Sequence, residues 1–230
     1  SRGVYPHIEL NPGLKEEQII KMTQLPSGLL RKAVELGYII PGWNLIDYIR
    51  AAIKGNPNES LKKLGFVSAA VWGEYGSGKS NLSLQLSFLI YKDWDVVLRR
   101  VVLVKEELLK VYSEIQALDK RLPLIIVDDI TTLFPRQLWQ EDKDMYIIFN
   151  KFLAVIRPKI SCFIYTLPDI SWSLETMIEV LNFEVQVTPN QKYMVERYFK
   201  ESDPYKAAAV KFRKILVEFS DFRLEDVPID

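Results

Sequence analysis

From residue 66 onward two periodicities alternate along the chain. Phe66–Trp72, Leu122–Val127, Ile160–Thr166 and Phe183–Val187 are short apolar runs rich in β-branched residues, the pattern of strands buried on both faces. Val96–Val104 reads the same way, interrupted by Arg99 and Arg100. Between these runs the spacing turns helical: Leu82, Leu86, Leu89 and Ile90, then Leu108, Val111, Tyr112 and Ile115, then Met145, Ile148, Phe149, Phe152 and Ile156 before Pro158. A shorter helix is expected around Leu174–Leu181. Five buried strands alternating with helices predict an α/β fold, a parallel sheet with helices on both faces in a three-layer sandwich. Right-handed crossovers then bring the C-terminal ends of the strands together, where such sheets bind ligands.

The flanks follow a different rule. Residues 1–64 read as helices and loops, with apolar stripes at Leu29, Leu30, Ala33, Val34 and Leu36 and at Leu45, Ile46, Tyr48, Ile49, Ala52 and Ile53. Pro41-Gly42 and Gly55–Asn58 break them. Residues 190–218 are expected to be mostly helical and basic, followed by an acidic tail. The expected organisation is a helical N-terminal extension (1–64), a core (65–189), and a short C-terminal helical segment with its tail (190–230).

Composition narrows the chemistry. At 230 residues the chain can bury a core without disulfides or metal. Its single cysteine, Cys162, and single histidine, His7, exclude a disulfide scaffold and a Cys/His zinc site, and leave little room for histidine catalysis. No run of 18 apolar residues is present, and no charged-then-apolar leader opens the chain, so a cytoplasmic protein without a membrane segment is expected. Lys plus Arg equals Asp plus Glu, 30 each, which argues against a strongly basic nucleic-acid coat.

The remaining chemistry must come from Lys, Arg, hydroxyls, carboxylates and backbone amides, and one segment gathers them. Gly73-Glu74-Tyr75-Gly76-Ser77-Gly78-Lys79-Ser80 matches G-x-x-x-x-G-K-[ST] in full, after an expected strand and before an expected helix. Glycines let such a loop fold so that its N–H groups converge on phosphate oxygens, and the helix N-terminus adds partial positive charge. Lys79 would reach the β- and γ-phosphates of ATP, and Ser80 would give a hydroxyl to Mg2+. The strand Leu122–Val127 delivers Asp128 and Asp129 to the same edge. Asp128 would hold Mg2+. Asp129 would orient and deprotonate the attacking water, or else cap the following turn.

These motifs resemble the P-loop NTPase superfamily, in the branch that includes the AAA+, RecA-like and FtsK/HerA families. The resemblance implies a sheet order of 5-1-4-3-2 and a catalytic acid directly after the Mg2+ Asp. That acid is usually Glu, and here it is the shorter Asp129. Phe66–Thr188 looks most like the DnaA/DnaC subset of AAA+ proteins, the replication initiators and helicase loaders. The whole chain is similar to ATPases of this kind carried by viruses and plasmids of thermophilic archaea. In that subset a polar sensor residue ends the fourth strand. Thr166 stands there, as a sensor or as an ordinary strand-end Thr. The resemblance also implies an Arg finger from a neighbouring subunit. Residues 167–188 contain no Arg, which leaves Arg136 and Arg157 as substitutes. A lid with a second sensor Arg would follow the last strand, and Arg197 is placed for it.

An ATPase hydrolase acting on DNA is the resulting expectation, a replication initiator or helicase loader that assembles into an oligomer or ring with a helicase or other replication protein. A DNA-translocating or packaging motor of the FtsK/HerA type, and a nucleotide-switched adaptor with little turnover, use the same motifs. Residues 190–217 carry seven basic and three acidic residues interleaved with Tyr193, Tyr198, Phe199, Tyr205 and Phe212, as a DNA-following stripe or as a helix docked on the sheet. Trp139 belongs to a loop that would bind DNA or a partner, or pack on the next helix. Tyr38–Ile40 and Tyr48 would wall an adenine site or fill the core.

Overall fold

The computed structural model describes residues 11–54, 65–134, 143–173, 175–202 and 210–223. Arg136, Trp139, Tyr205 and the end of the acidic tail lie outside them. Among the described residues the chain is α/β. It forms helices α1 (Glu16–Thr23), α2 (Ser27–Glu35) and α3 (Leu45–Lys54), then strand β1 (Val67–Trp72) and helices α4 (Lys79–Tyr91) and α5 (Trp94–Leu98). Strand β2 (Val101–Val102), α6 (Lys105–Ala117), β3 (Leu122–Val127), α7 (Ile130–Leu133), α8 (Lys143–Lys159) and β4 (Ile160–Leu167) follow. Helix α9 (Glu175–Val180) and strands β5 (Phe183–Thr188), β6 (Lys192–Ser202) and β7 (Val210–Asp221) complete it. No helix among the described residues is long and apolar enough to cross a membrane.

One sheet orders these strands β2-β3-β4-β1-β5-β6-β7. The pairs from β2 to β5 are parallel, and β5–β6 and β6–β7 are antiparallel. The sheet is therefore mixed and seven-stranded, where the sequence pattern predicts five parallel strands. Helices cover both faces. Val67, Ala69 and Val71 of β1 point into a core shared with α1, α2, α3 and α4. Ala70, between them, points into a second core shared with α6, α7 and α8. Small side chains at the centre of β1 let helices approach closely from both sides. The helices of the N-terminal segment thus belong to the main core: Leu30, Leu45, Ile46 and Ile49 are fully buried in it.

Two expectations are corrected. Val96–Val104 is not one strand. The Asp93 carboxylate accepts hydrogen bonds from the N–H groups of Asp95 and Val96 and starts α5, so only Val101 and Val102 remain for an edge strand. Residues 190–218 contain no helix among those described; they form most of the β6–β7 hairpin. Tyr193, Val195, Arg197 and Phe199 face the main core and alternate with Lys192, Met194, Glu196 and Tyr198 on the other face, a period of two. Aromatic and charged residues are both dense here, so a helical period finds matches in the sequence as readily as a strand period. There is accordingly no helical lid in these residues, and Arg197 is not poised over the glycine-rich loop.

Arg197 is buried in the core between α2, α3 and β5. Its guanidinium lies 4.4 Å from the Phe183 ring and 5.3 Å from the Tyr48 ring, and its Nε donates to the Tyr38 carbonyl at 2.9 Å. Its Nη1 has no partner, and burial pushes its pKa down to about 10. Glu218 of β7 is buried on the same face. Its carboxylate accepts from the Leu45 N–H at 2.8 Å, where α3 begins, and from the Tyr193 hydroxyl at 2.6 Å. Tyr48 is also core, and its hydroxyl accepts the Ile40 N–H at 2.8 Å.

Two predictions follow from these buried charges. A buried charge without a counterion is costly, whereas Met keeps the volume and the contact with aromatic rings. Arg197→Met should unfold in urea within about 1 kcal/mol of the parent, and Arg197→Ala should lose about 2–4 kcal/mol through the cavity. Burial holds the Glu218 carboxyl above its usual range. The folded state then binds more protons than the unfolded state once pH exceeds the ordinary Glu value, so stability falls as pH rises through that window. Thermal melts across pH 4–8 should show this contribution in the parent and not in Glu218→Gln.

Candidate functional site at the strand ends

Strands β1, β3 and β4 end at one edge of the sheet, and their last residues set the site. Strand β1 runs into Gly73. A Cβ there would lie 2.2 Å from the Val187 carbonyl oxygen of β5, so only glycine lets the chain leave the sheet at this point. The loop returns through Gly78, which caps α4 at φ 94°, a left-handed conformation that favours glycine. Lys79 and Ser80 open α4. Strand β3 brings Asp128 and Asp129, and β4 brings Thr166.

Lys79, Ser80, Asp128, Asp129 and Thr166 line one pocket of about 420 Å³. Tyr75, Gly76, Gly78, Asn81, Leu167 and Pro168 complete its wall. Tyr75 is 77% exposed and its ring centroid is 5.5 Å from the Lys79 Nζ, so the aromatic ring flanks the ammonium at the pocket mouth. Lys79 donates to the carbonyls of Gly73 at 2.9 Å and Glu74 at 2.8 Å. Burial pushes its pKa down, and Asp129 and Asp128 pull it back up. Ser77, on the same loop, has a buried hydroxyl with no hydrogen-bond partner.

The acidic side is joined by hydroxyls. Asp128 Oδ1 accepts from Ser80 Oγ at 2.8 Å and from Thr166 Oγ1 at 2.6 Å. Thr166 in turn accepts the Asp129 N–H at 2.7 Å. Its single proton is thus committed to Asp128, and its oxygen to Asp129. Asp129 adopts φ 45°, left-handed and strained for a residue with a side chain, and the Thr166 bond braces it. Its carboxylate accepts from Thr131 Oγ1 at 2.5 Å and from Thr132 Oγ1 at 2.8 Å. Asp129 precedes α7 and lines the pocket, and its side chain makes no capping bond to the backbone of that helix.

Every residue singled out in the glycine-rich loop lies on one continuous turn, and the three singled out on β3 and β4 face it. Arg157 does not join them. It is at the opposite end of the sheet, where β4 begins, with its guanidinium 5.8 Å from the Phe66 ring. Asn81, Thr131, Thr132, Leu167 and Pro168 escape the motif pattern. The two threonines carry a usable signal, because an Asp followed by hydroxyl residues commonly closes its own turn.

The donors present suit a phosphate and a hard cation. Ser80 Oγ and Asp128 Oδ1 are hard oxygens already in contact, as Mg2+ prefers. No group of three or more His, Cys, Asp or Glu residues among those described gathers into a metal cage.

No family model matches the chain. Similar proteins include uncharacterized protein B-251 of Sulfolobus spindle-shape virus 1, 28% identical over 116 residues, which are 47% of this chain and 45% of that protein. Uncharacterized protein ORF286 of Acidianus two-tailed virus is 31% identical over 100 residues, 43% of this chain and 35% of that protein. The chain spans less than half the length of either relative.

Proposed function

We propose that the chain is an ATP-binding, Mg2+-dependent ATPase of the P-loop type that acts in DNA transactions. The observation that carries this reading is the convergence of Lys79, Ser80, Asp128, Asp129 and Thr166 from one loop and two strands on one pocket. Such convergence is what phosphoryl transfer requires, because the protein contributes positioning and electrostatics more than covalent chemistry.

The residues take distinct parts. Backbone amides of the glycine-rich loop and the start of α4 face the phosphates. Lys79 exchanges its two carbonyl acceptors for phosphate oxygens, which bond more strongly because they are charged. Ser80 and Asp128 are the protein ligands of Mg2+, which when bound offsets charge on the β- and γ-phosphates. Thr166 keeps the Asp128 carboxylate and the Asp129 backbone in register. Asp129 takes a proton from water as its oxygen bonds to the γ-phosphorus, and the bond from that phosphorus to the ADP oxygen breaks. The products are ADP and phosphate.

Within this class, the whole-chain resemblance to initiators and helicase loaders and the similarity to proteins of two viruses support a role in a viral or plasmid replicon. One observation favours a DNA-translocating motor as the second reading. The loader resemblance implies a lid after the last strand, reduced and helical in so short a remainder, whereas here the chain after β5 pairs into the sheet as β6 and β7. Duplex translocation or strand displacement, measured beside DNA-stimulated turnover, separates the two.

Lys79→Ala should abolish tight ATP binding in a calorimetric titration; unchanged affinity places the triphosphate elsewhere. Asp129→Asn should retain ATP affinity and lose hydrolysis by roughly 10²–10⁴-fold, the usual contribution of a positioned base. Undiminished phosphate release in that variant would assign the base to another residue.

A further inference from the structure

We propose that Arg223 binds the nucleoside half of the nucleotide, and so sets the preference for a nucleoside triphosphate over a bare polyphosphate. This rests on the ATPase reading above. That reading fixes which way the ligand lies. The terminal phosphates belong at Asp128 and Thr166, on β3 and β4. Strand β3 is on one side of β1 in the sheet, and β5, β6 and β7 are on the other. The nucleoside therefore leaves the pocket past Asn81, toward the flank where β7 ends.

Arg223 is held at that flank through its backbone. Gln85 is fully buried one turn after Asn81 on α4. Its Nε2 donates to the Asn81 side-chain oxygen and, at 2.6 Å, to the Arg223 carbonyl. Its own Oε1 is buried with no hydrogen-bond partner. On the other side, the Phe222 N–H donates to the Gln191 carbonyl at 2.8 Å, in the turn that follows β5. Phe222 is itself buried against Tyr193, with ring centroids 6.1 Å apart. The Val187 carbonyl at the end of that same β5 is what closes on Gly73. The backbone at Arg223 is thus tied both to α4 and to the strand that supports the glycine-rich loop.

Arg223 is exposed and makes no ion pair among the described residues. A rise of 1.5 Å per residue puts Gln85 about 6 Å along α4 from Asn81, within the reach of an arginine side chain. A guanidinium plane stacks on the face of a base and donates to ribose oxygens, which an ammonium group does not reproduce. Purines offer the larger face, so a purine nucleoside is the ligand half this position takes.

Calorimetric titrations of the full chain with ATP and with inorganic tripolyphosphate, both with Mg2+, test this assignment. Arg223→Ala should weaken ATP about ten-fold, or ~1.4 kcal/mol, and leave tripolyphosphate unchanged. Arg223→Lys should recover little of the loss, and a thermal melt of each variant checks that the fold is kept. Unchanged ATP affinity in Arg223→Ala overturns the assignment. So does an equal loss for both ligands, which would mark a charge acting at a distance. A parent protein that binds neither ligand overturns the ATPase reading itself, and this assignment with it.

Discussion

The contact on which the rest of the site depends is between Gly73 and the Val187 carbonyl. A Cβ at residue 73 would stand 2.2 Å from that oxygen, closer than atoms of a real protein approach. The absence of a side chain lets β1 end directly against β5, and the loop turns back from there over the sheet edge. Where the loop turns back decides where α4 begins. That in turn decides that Ser80 meets Asp128 at 2.8 Å rather than pointing to solvent. The central position of β1, between β4 and β5, puts this contact at the point where the ends of three strands are nearest to one another.

Much of this was legible because the controlling residues are local. A buried strand, a glycine-rich turn and a helix follow one another within residues 67–91, and each carries its own signal. The Asp pair was legible for the same reason: an apolar run that stops in carboxylates places them at a strand end. Thr166 was legible as a place. Its two bonds, to Asp128 and from the Asp129 N–H, depend on the left-handed turn at Asp129, which the sequence pattern does not announce.

What escaped the sequence is long-range. The hairpin β6–β7 is dense in aromatics and charges, so helical and strand periods both find matches in it. The alternation becomes decisive only once β5 offers an edge to pair with. Arg197 illustrates the difficulty: a charged residue normally marks the solvent side, and here it faces the core, stacked on Phe183 and Tyr48. Glu218 is misleading in the same way, since its partner is the start of α3, 173 residues away in sequence. The zero net charge also hides structure. Some of the basic residues it counts are paired, as Lys192 with Asp221 on the hairpin and Lys214 with buried Glu184 of β5.

The hairpin is joined to the glycine-rich loop through one carboxylate. Trp72, the last residue of β1, donates its indole N–H to Glu184 at 2.9 Å. Glu184 is buried and also accepts from Tyr198 of β6 at 2.8 Å and from Lys214 of β7 at 2.5 Å. A buried carboxylate with three donors is expensive to disturb, because removing any one leaves charge unpaired in a low-dielectric site. The residue before Gly73 is therefore locked to both strands of the hairpin. A hinged lid would let the chain beyond β5 move independently of the loop. Here loop, β5 and hairpin are joined through that one carboxylate. The strained turn at Asp129 is held differently: its N–H bonds Thr166 of β4, while its carboxylate is held locally by Thr131 and Thr132.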